Sequence, residues 1–200
     1  MKKTKCLIIG GDGLIGNYFF KNLKKDQLTI YKTSRKKVKT IKLSKTIYFD
    51  LNKIENLFFL KKFDSIVICA GIDGIKNCEK NKKLSQKTNV RSTAKIINYC
   101  DKNSIHHIFF SSTQVFKKPN IKNSINTKLN PQNLYGMQKM KIEKKINKKY
   151  GLIIRPAKII KKNNDNFFKR FLDKKNKILN IDYNYKIFFS DIKKLTEEVN

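Results

Sequence analysis

The stretch Cys6-Leu-Ile-Ile-Gly-Gly-Asp-Gly-Leu-Ile-Gly16 decides the reading of this chain. A short apolar run ends in glycines at positions 10, 13 and 16, and an apolar helical pattern follows. That order suits a strand, a tight turn and a helix N-terminus. Gly10 permits the sharp turn, Gly13 lets a pyrophosphate approach the backbone, and Gly16 lets helix and strand pack closely. An anion there would sit on the unpaired N–H groups of the first helical turn, around Leu14 and Ile15, at the positive end of the helix dipole. Four of the eight glycines in the chain (10, 11, 13 and 16) fall in this one turn.

Outward from the turn, strand-like and helix-like segments alternate. Residues 13–25 read as a helix with Leu14, Ile15, Phe19 and Leu23 on its buried side, and residues 28–32 as a second strand. A helix is expected over 52–62, with Leu57, Phe58 and Leu60 as its apolar residues, and a long one over 77–102. Ser65-Ile-Val-Ile-Cys-Ala70 and His107-Ile-Phe-Phe-Ser111 are continuous apolar runs, as expected of parallel strands covered on both faces. A polar loop leads to Pro131, a helix over 135–149 follows, and Leu152-Ile-Ile-Arg-Pro156 is a further strand. Repeated strand–helix units with right-handed crossovers make an α/β fold, a Rossmann-type doubly wound parallel sheet. We expect a dinucleotide-binding domain over residues 1–156 and a short or truncated C-terminal substrate-binding part over 157–200.

Composition narrows the function classes. The 200 residues carry a formal charge of +31, which ordinarily points to nucleic acid or anionic membrane. Only four of the 46 basic residues are Arg, however, at 35, 91, 155 and 170, and Arg is the residue suited to bidentate phosphate and base recognition. The lysines are spread through every segment among many Asn and Ile, so they read as solvated surface. The cysteines at 6, 69, 78 and 100 form no C-x-x-C pair and no zinc spacing, and His106 and His107 are the only histidines. Reduced thiols in a cytoplasmic protein, with no metal, are expected. The N-terminal Met-Lys-Lys-Thr-Lys looks like the start of a signal peptide, but the apolar run after it breaks at Gly10, and no run approaches a membrane span.

In a doubly wound sheet, ligands bind beyond the carboxyl ends of the strands. The residues there are the glycine turn, Ser34 and Arg35, Asp50 and Leu51, Ala70, Gly71 and Ile72, and Ser111 to Thr113. Tyr135-Gly-Met-Gln-Lys139 opens a helix, and its i, i+4 spacing puts phenol and ammonium on one face. A nearby ammonium favours the phenolate and is expected to lower the Tyr135 pKa toward a working range. With so many lysines the pair alone says little. Its place, about two dozen residues after Ser112, says more: both hydroxyls could face one crevice, Ser112 polarising a carbonyl while Tyr135 delivers its proton.

Together these residues resemble the extended short-chain dehydrogenase/reductase family, over nearly the whole chain. The glycine turn, Asp50-Leu51, Cys69-Ala70-Gly71, Thr88-Asn89-Val90, Phe110-Ser-Ser-Thr-Gln-Val-Phe116, Pro131-Gln-Asn-Leu-Tyr-Gly-Met-Gln-Lys139 with Glu143, and Ile154-Arg-Pro156 carry the likeness. Within that family the chain is most similar to dTDP-4-dehydrorhamnose reductases and their sugar-nucleotide-binding relatives, through Ala70-Gly-Ile-Asp-Gly-Ile-Lys-Asn-Cys-Glu79, residues 111–116 and residues 166–195.

The resemblance implies Tyr135 as proton donor, Lys139 on the nicotinamide ribose, Ser112 orienting the carbonyl and Thr113 touching substrate. It implies cofactor contacts from Gly10, Gly13, Leu14, Ile15, Gly16, Ser34, Arg35, Asp50, Leu51, Ala70, Gly71, Ile72, Asn89 and Lys139. The end of the second strand, Thr33-Ser34-Arg35, has no acidic residue, so NADP(H) is expected over NAD(H). Two residues depart from the pattern: Thr113 stands where the family often has an acid, and Lys158 where the reductases often have an aromatic.

The expectation is an NADP(H)-dependent reductase of a 4-keto nucleotide sugar. A sibling epimerase or dehydratase and a non-catalytic NADP-binding regulatory subunit are the alternatives. A nucleotide sugar is the expected partner and a homodimer an option. No specific nucleic acid and no membrane are expected.

Overall fold

Apolar residues alternate sides along the central strands, and that alternation builds two cores. In a computed structural model, which describes residues 3–23, 28–36, 45–119, 121, 123–160 and 189–191, six strands form one sheet. They are β1 (Thr4–Ile9), β2 (Leu28–Ser34), β3 (Thr46–Tyr48), β4 (Ser65–Ile68), β5 (His106–Phe110) and β6 (Gly151–Ile154). Their order is β3-β2-β1-β4-β5-β6, and every pairing is parallel. The order reverses between β1 and β4, which opens a crevice at their carboxyl ends.

Leu7 and Ile9 of β1, Ile66 and Ile68 of β4 and Phe109 of β5 point to one face. There they meet Ile96 and Ile97 of α4 (Thr93–Lys102) and Ile142 of α5 (Leu134–Glu143). Cys6, Ile8, Val67 and Phe110 point to the other, against Phe19 of α1 (Leu14–Asn22) and Leu23. With helices on both faces the sheet is doubly wound, and each fully buried Leu, Ile or Phe contributes roughly 1.5–3 kcal/mol. All four cysteines are free, and burial pushes the Cys100 thiol up to about 12.

Several local expectations are corrected. Residues 52–62 are not an α-helix: only Phe58–Lys62 is helical, as a 3₁₀ turn. Leu57, Leu60 and Phe63 are buried at a spacing of three, which suits a 3₁₀ turn, while Phe58 is 68% exposed. The long helix starts earlier, as α2 (Ile75–Lys80), then α3 (Lys82–Ser85), and passes through a π-helical stretch, Gln86–Ser92, before α4. The π stretch turns Thr88, Asn89 and Val90 inward together, a wider buried face than an α-helix offers. Helix α5 stops at Glu143 because Asn147 organises a turn: its N–H donates to Asp101 Oδ2 (3.3 Å) and its side chain accepts from Lys149 N (3.0 Å). Leu14 faces outward, 52% exposed. Strand β2 runs two residues further than expected, and the three-residue edge strand β3 is too short to show a period.

A separate two-stranded parallel sheet pairs β7 (Lys158–Ile160) with β8 (Phe189–Asp191). Apart from residues 189–191, the likeness over residues 166–195 lies outside the described residues, as do the Lys158 side chain, the end of the first expected helix and most of the expected substrate segment. No helix among the described residues is long and apolar enough to cross a membrane.

Candidate active site

The glycine turn has the geometry that its spacing implies. Gly10 has φ +96°, a left-handed conformation that favours glycine, and a Cβ on Gly16 would lie 2.3 Å from Gly10 O. Gly13 N donates to Gly10 O (3.0 Å), while Gly10 N and Gly11 N donate to Thr33 Oγ1 (3.0 Å) and Thr33 O (3.1 Å) of β2. The turn is thereby fastened to the second strand.

Beside it opens a cavity of about 340 Å³, lined by Gly10, Gly13, Ser34, Arg35, Asp50 and Leu51, with Ala70, Gly71 and Ile72 across from them. A second cavity of about 670 Å³ is lined by Leu14, Ile15, Gly16, Ser112, Thr113, Tyr135 and Lys139. Both share Gly13, Cys69, Gly71 and Ile72, so they form one cleft along the crevice. Every sequence-predicted residue lies on this cleft except Asn89. Its side chain accepts from Ile72 N (2.7 Å) and donates to Ile72 O (2.9 Å) and Gln138 Oε1 (2.8 Å). Asn89 therefore clamps the loop after β4.

Close backbone approach brings Tyr135 to Ser112. Gly136 sits against the 3₁₀ turn Thr113–Val115, where a Cβ would meet Gln114 O at 2.0 Å. Asn133 caps α5 by accepting from Gly136 N (2.8 Å), and it donates to Gln114 Oε1 (2.9 Å). Ser112 Oγ accepts from Gln114 N (3.2 Å) and shares the cavity with the Tyr135 phenol, whose pKa it acts to lower. One turn along α5, Lys139 Nζ donates to Phe110 O (2.6 Å) and lies 5.6 Å from the Tyr135 ring centroid. The next turn ends in Glu143, which forms a fork with Arg155 (3.0 and 2.9 Å) and ties α5 to the residue after β6.

The electrostatics differ from the expectation that Lys139 lowers the Tyr135 pKa. Burial raises the Tyr135 pKa, and the nearby Asp73 carboxylate raises it further; Ser112 opposes this. Burial also lowers Lys139 to about 8, against the pull of Asp73, Cys69, Cys78 and Glu143. The phenol is thus held protonated, and as a weaker acid it would yield its proton only to a strong base such as a developing alkoxide.

Sequence reasoning assigned no role to Asp73, Gly136, Gln138 or Asp12. All four stand inside the quoted stretches, but their contacts with distant segments carry no periodic signal. Asp12 Oδ2 accepts from Ser34 Oγ (2.7 Å), which brings a carboxylate to the strand end that lacks one in sequence.

The donors and shape fit a dinucleotide. The turn has no Cβ in the way at Gly10, Gly13 or Gly16, its helix N-terminus is open, and the buried Ser111 hydroxyl on the cleft has no hydrogen-bond partner among the described residues.

Fold and cleft define a Rossmann-type α/β protein with an open crevice at the carboxyl ends of its strands. The chain belongs to the family described as RmlD substrate binding domain, which it matches over residues 4–183. No curated protein matches it significantly in sequence. Among solved structures, a hypothetical dTDP-4-dehydrorhamnose reductase from Sulfolobus tokodaii is 23% identical, with TM-score 0.67 over 79% of this chain and 57% of that one. A dTDP-4-dehydrorhamnose reductase from Bacillus anthracis in complex with NADP is 18% identical, with TM-score 0.76 over 100% and 70%. MoeE5 in complex with UDP-glucuronic acid and NAD is 17% identical, with TM-score 0.81 over 98% and 70%. The chain spans 57% and 59% of the first two reductases it matches.

Proposed function

We propose that this chain is an NAD(P)-dependent oxidoreductase that reduces a 4-keto nucleotide sugar, with NADP(H) preferred over NAD(H). The observation that carries the reading is the meeting of Ser112, Tyr135 and Lys139 in one cavity that continues into the glycine turn. Family membership supports it, and so do neighbours whose structures hold NADP, NAD or a UDP-sugar. Arg35 and the backbone around Ser34 support the NADP(H) preference by offering a cation where a 2′-phosphate would lie. Residues 1–156 bind the cofactor and 157–200 contribute to the sugar pocket. The chain works in the cytoplasm, in dTDP-rhamnose supply for cell-surface polysaccharide, as a homodimer in one arrangement.

A nicotinamide held along this cleft would supply the hydride for the carbonyl carbon. Ser112 holds the carbonyl oxygen by donating to it, and Tyr135 gives that oxygen its phenolic proton, so the alkoxide never stands free. The Lys139 ammonium then lies within reach of the phenolate left behind and stabilises it. The Asp73 carboxylate beside the phenol keeps that proton on Tyr135 in the resting site.

The test is oxidation of NADPH, followed at its nicotinamide absorbance, with dTDP-4-dehydrorhamnose. Turnover that falls roughly 10²–10⁴-fold in Tyr135→Phe, with NADPH affinity kept, is expected. Binding without turnover would favour the regulatory-subunit reading, and absence of binding would remove both.

A further inference from the structure

Ser34 has its hydroxyl proton committed. Its Oγ donates to Asp12 Oδ2 at 2.7 Å and accepts from Lys36 N at 3.0 Å. Asp12 Oδ1 lies 3.8 Å from Lys32 Nζ, and the Asp12 side chain is 44% exposed. Asp12, Ser34 and Arg35 all line the cavity beside the glycine turn. The carboxylate reaches this place from the turn itself, because Gly11 lies over the Lys32 side chain with no room for a Cβ (2.5 Å to Lys32 Cβ) and Gly11 N is bonded to Thr33 O.

In folds of this kind the end of the second strand holds the adenosine ribose. Chemistry there depends on the 2′ substituent. A ribose hydroxyl donates, and a carboxylate is its natural acceptor. A 2′-phosphate is a dianion that needs donors and cations, and Asp12 already holds the Ser34 hydroxyl and draws on Lys32. Building on the dinucleotide reading above, we propose that Asp12 is the residue that sets how far this site prefers a phosphorylated over an unphosphorylated dinucleotide. It accepts the 2′-hydroxyl of NAD(H) and withholds the Ser34 hydroxyl from the 2′-phosphate of NADP(H), so it narrows the preference for NADP(H) that Arg35 sets and both cofactors are taken. Removing its charge frees the Ser34 hydroxyl for the phosphate and takes away a like-charge repulsion.

The experiment is a fluorescence titration of NADPH and of NADH with the full chain, in roughly 0.3 M salt to screen the scattered lysines. Nicotinamide emission is read directly, since the chain has no Trp. Wild type, Asp12→Asn and Asp12→Ser are compared, each with its melting temperature. The expected result is that wild type binds both, and that both variants tighten NADPH by about tenfold relative to NADH. A ratio that moves less than threefold in a folded variant, or both dinucleotides changing together, overturns the role of Asp12 and leaves the dinucleotide reading standing. Failure of wild type to bind either dinucleotide overturns both.

Discussion

The side-chain amide of Asn89 donates to Gln138 Oε1 at 2.8 Å, and through this bond the loop after β4 and the helix carrying Tyr135 and Lys139 are held as one unit. Gln138 passes the link on, donating to Ser85 Oγ at 2.9 Å, which in turn donates to Cys78 O at 3.2 Å. Asn89, Gln138 and Ser85 are all buried, so every bond in the chain is made away from water.

Gln138→Leu keeps the volume but leaves the Asn89 amide and the Ser85 hydroxyl short of a partner. We expect a loss of about 1–3 kcal/mol in urea unfolding. A double-mutant cycle with Asn89→Ala should show coupling of at least about 0.5 kcal/mol. Independent effects would mean that the two residues stabilise their elements separately.

Two glycines in the turn separate folding from binding. Gly16→Ala drives a Cβ to within 2.3 Å of Gly10 O, a backbone atom that cannot step aside. It should cost about 1–3 kcal/mol or more. Gly13→Ala meets nothing nearer than Gly10 O at 3.4 Å, and its φ of −76° suits alanine. The melting temperature should therefore hold while dinucleotide affinity falls at least tenfold, about 1.4 kcal/mol. Equal melting temperatures for both variants would show that the turn is looser than drawn.

Lys139 carries a pH signature. In the native chain burial lowers it to about 8 from its ordinary 10.5. Between these values the unfolded state holds more protons, so wild-type stability rises with pH across that window, and the full cost of charging the buried amine is present below pH 8. Lys139→Met removes this dependence. The unfolding free energy of wild type should gain on the order of 2 kcal/mol relative to the variant between pH 7.5 and 10. A flat difference would mean an ammonium that stays hydrated.

The order of strands and helices was legible because apolar runs such as Ile66-Val67-Ile68 and Phe109-Phe110 announce buried parallel strands, and the glycine spacing places the turn between β1 and α1. Ser112, Tyr135 and Lys139 were legible as well, since strand ends and a helix start bring them to one edge of the sheet. Residues 52–62 misled, because apolar residues three apart serve an α-helix and a 3₁₀ turn alike until the core chooses.

The sequence by itself determined the fold class and the edge of the sheet where chemistry collects, since both follow from local period and from glycines whose backbone freedom no other residue supplies. Only the tertiary structure decided what surrounds the reacting groups. Burial and Asp73 keep Tyr135 protonated against the opposing effect of Ser112, and Asp12 reaches Ser34 from 22 residues away. Desolvation and contact between distant segments depend on how the chain closes on itself, and no spacing along it records them.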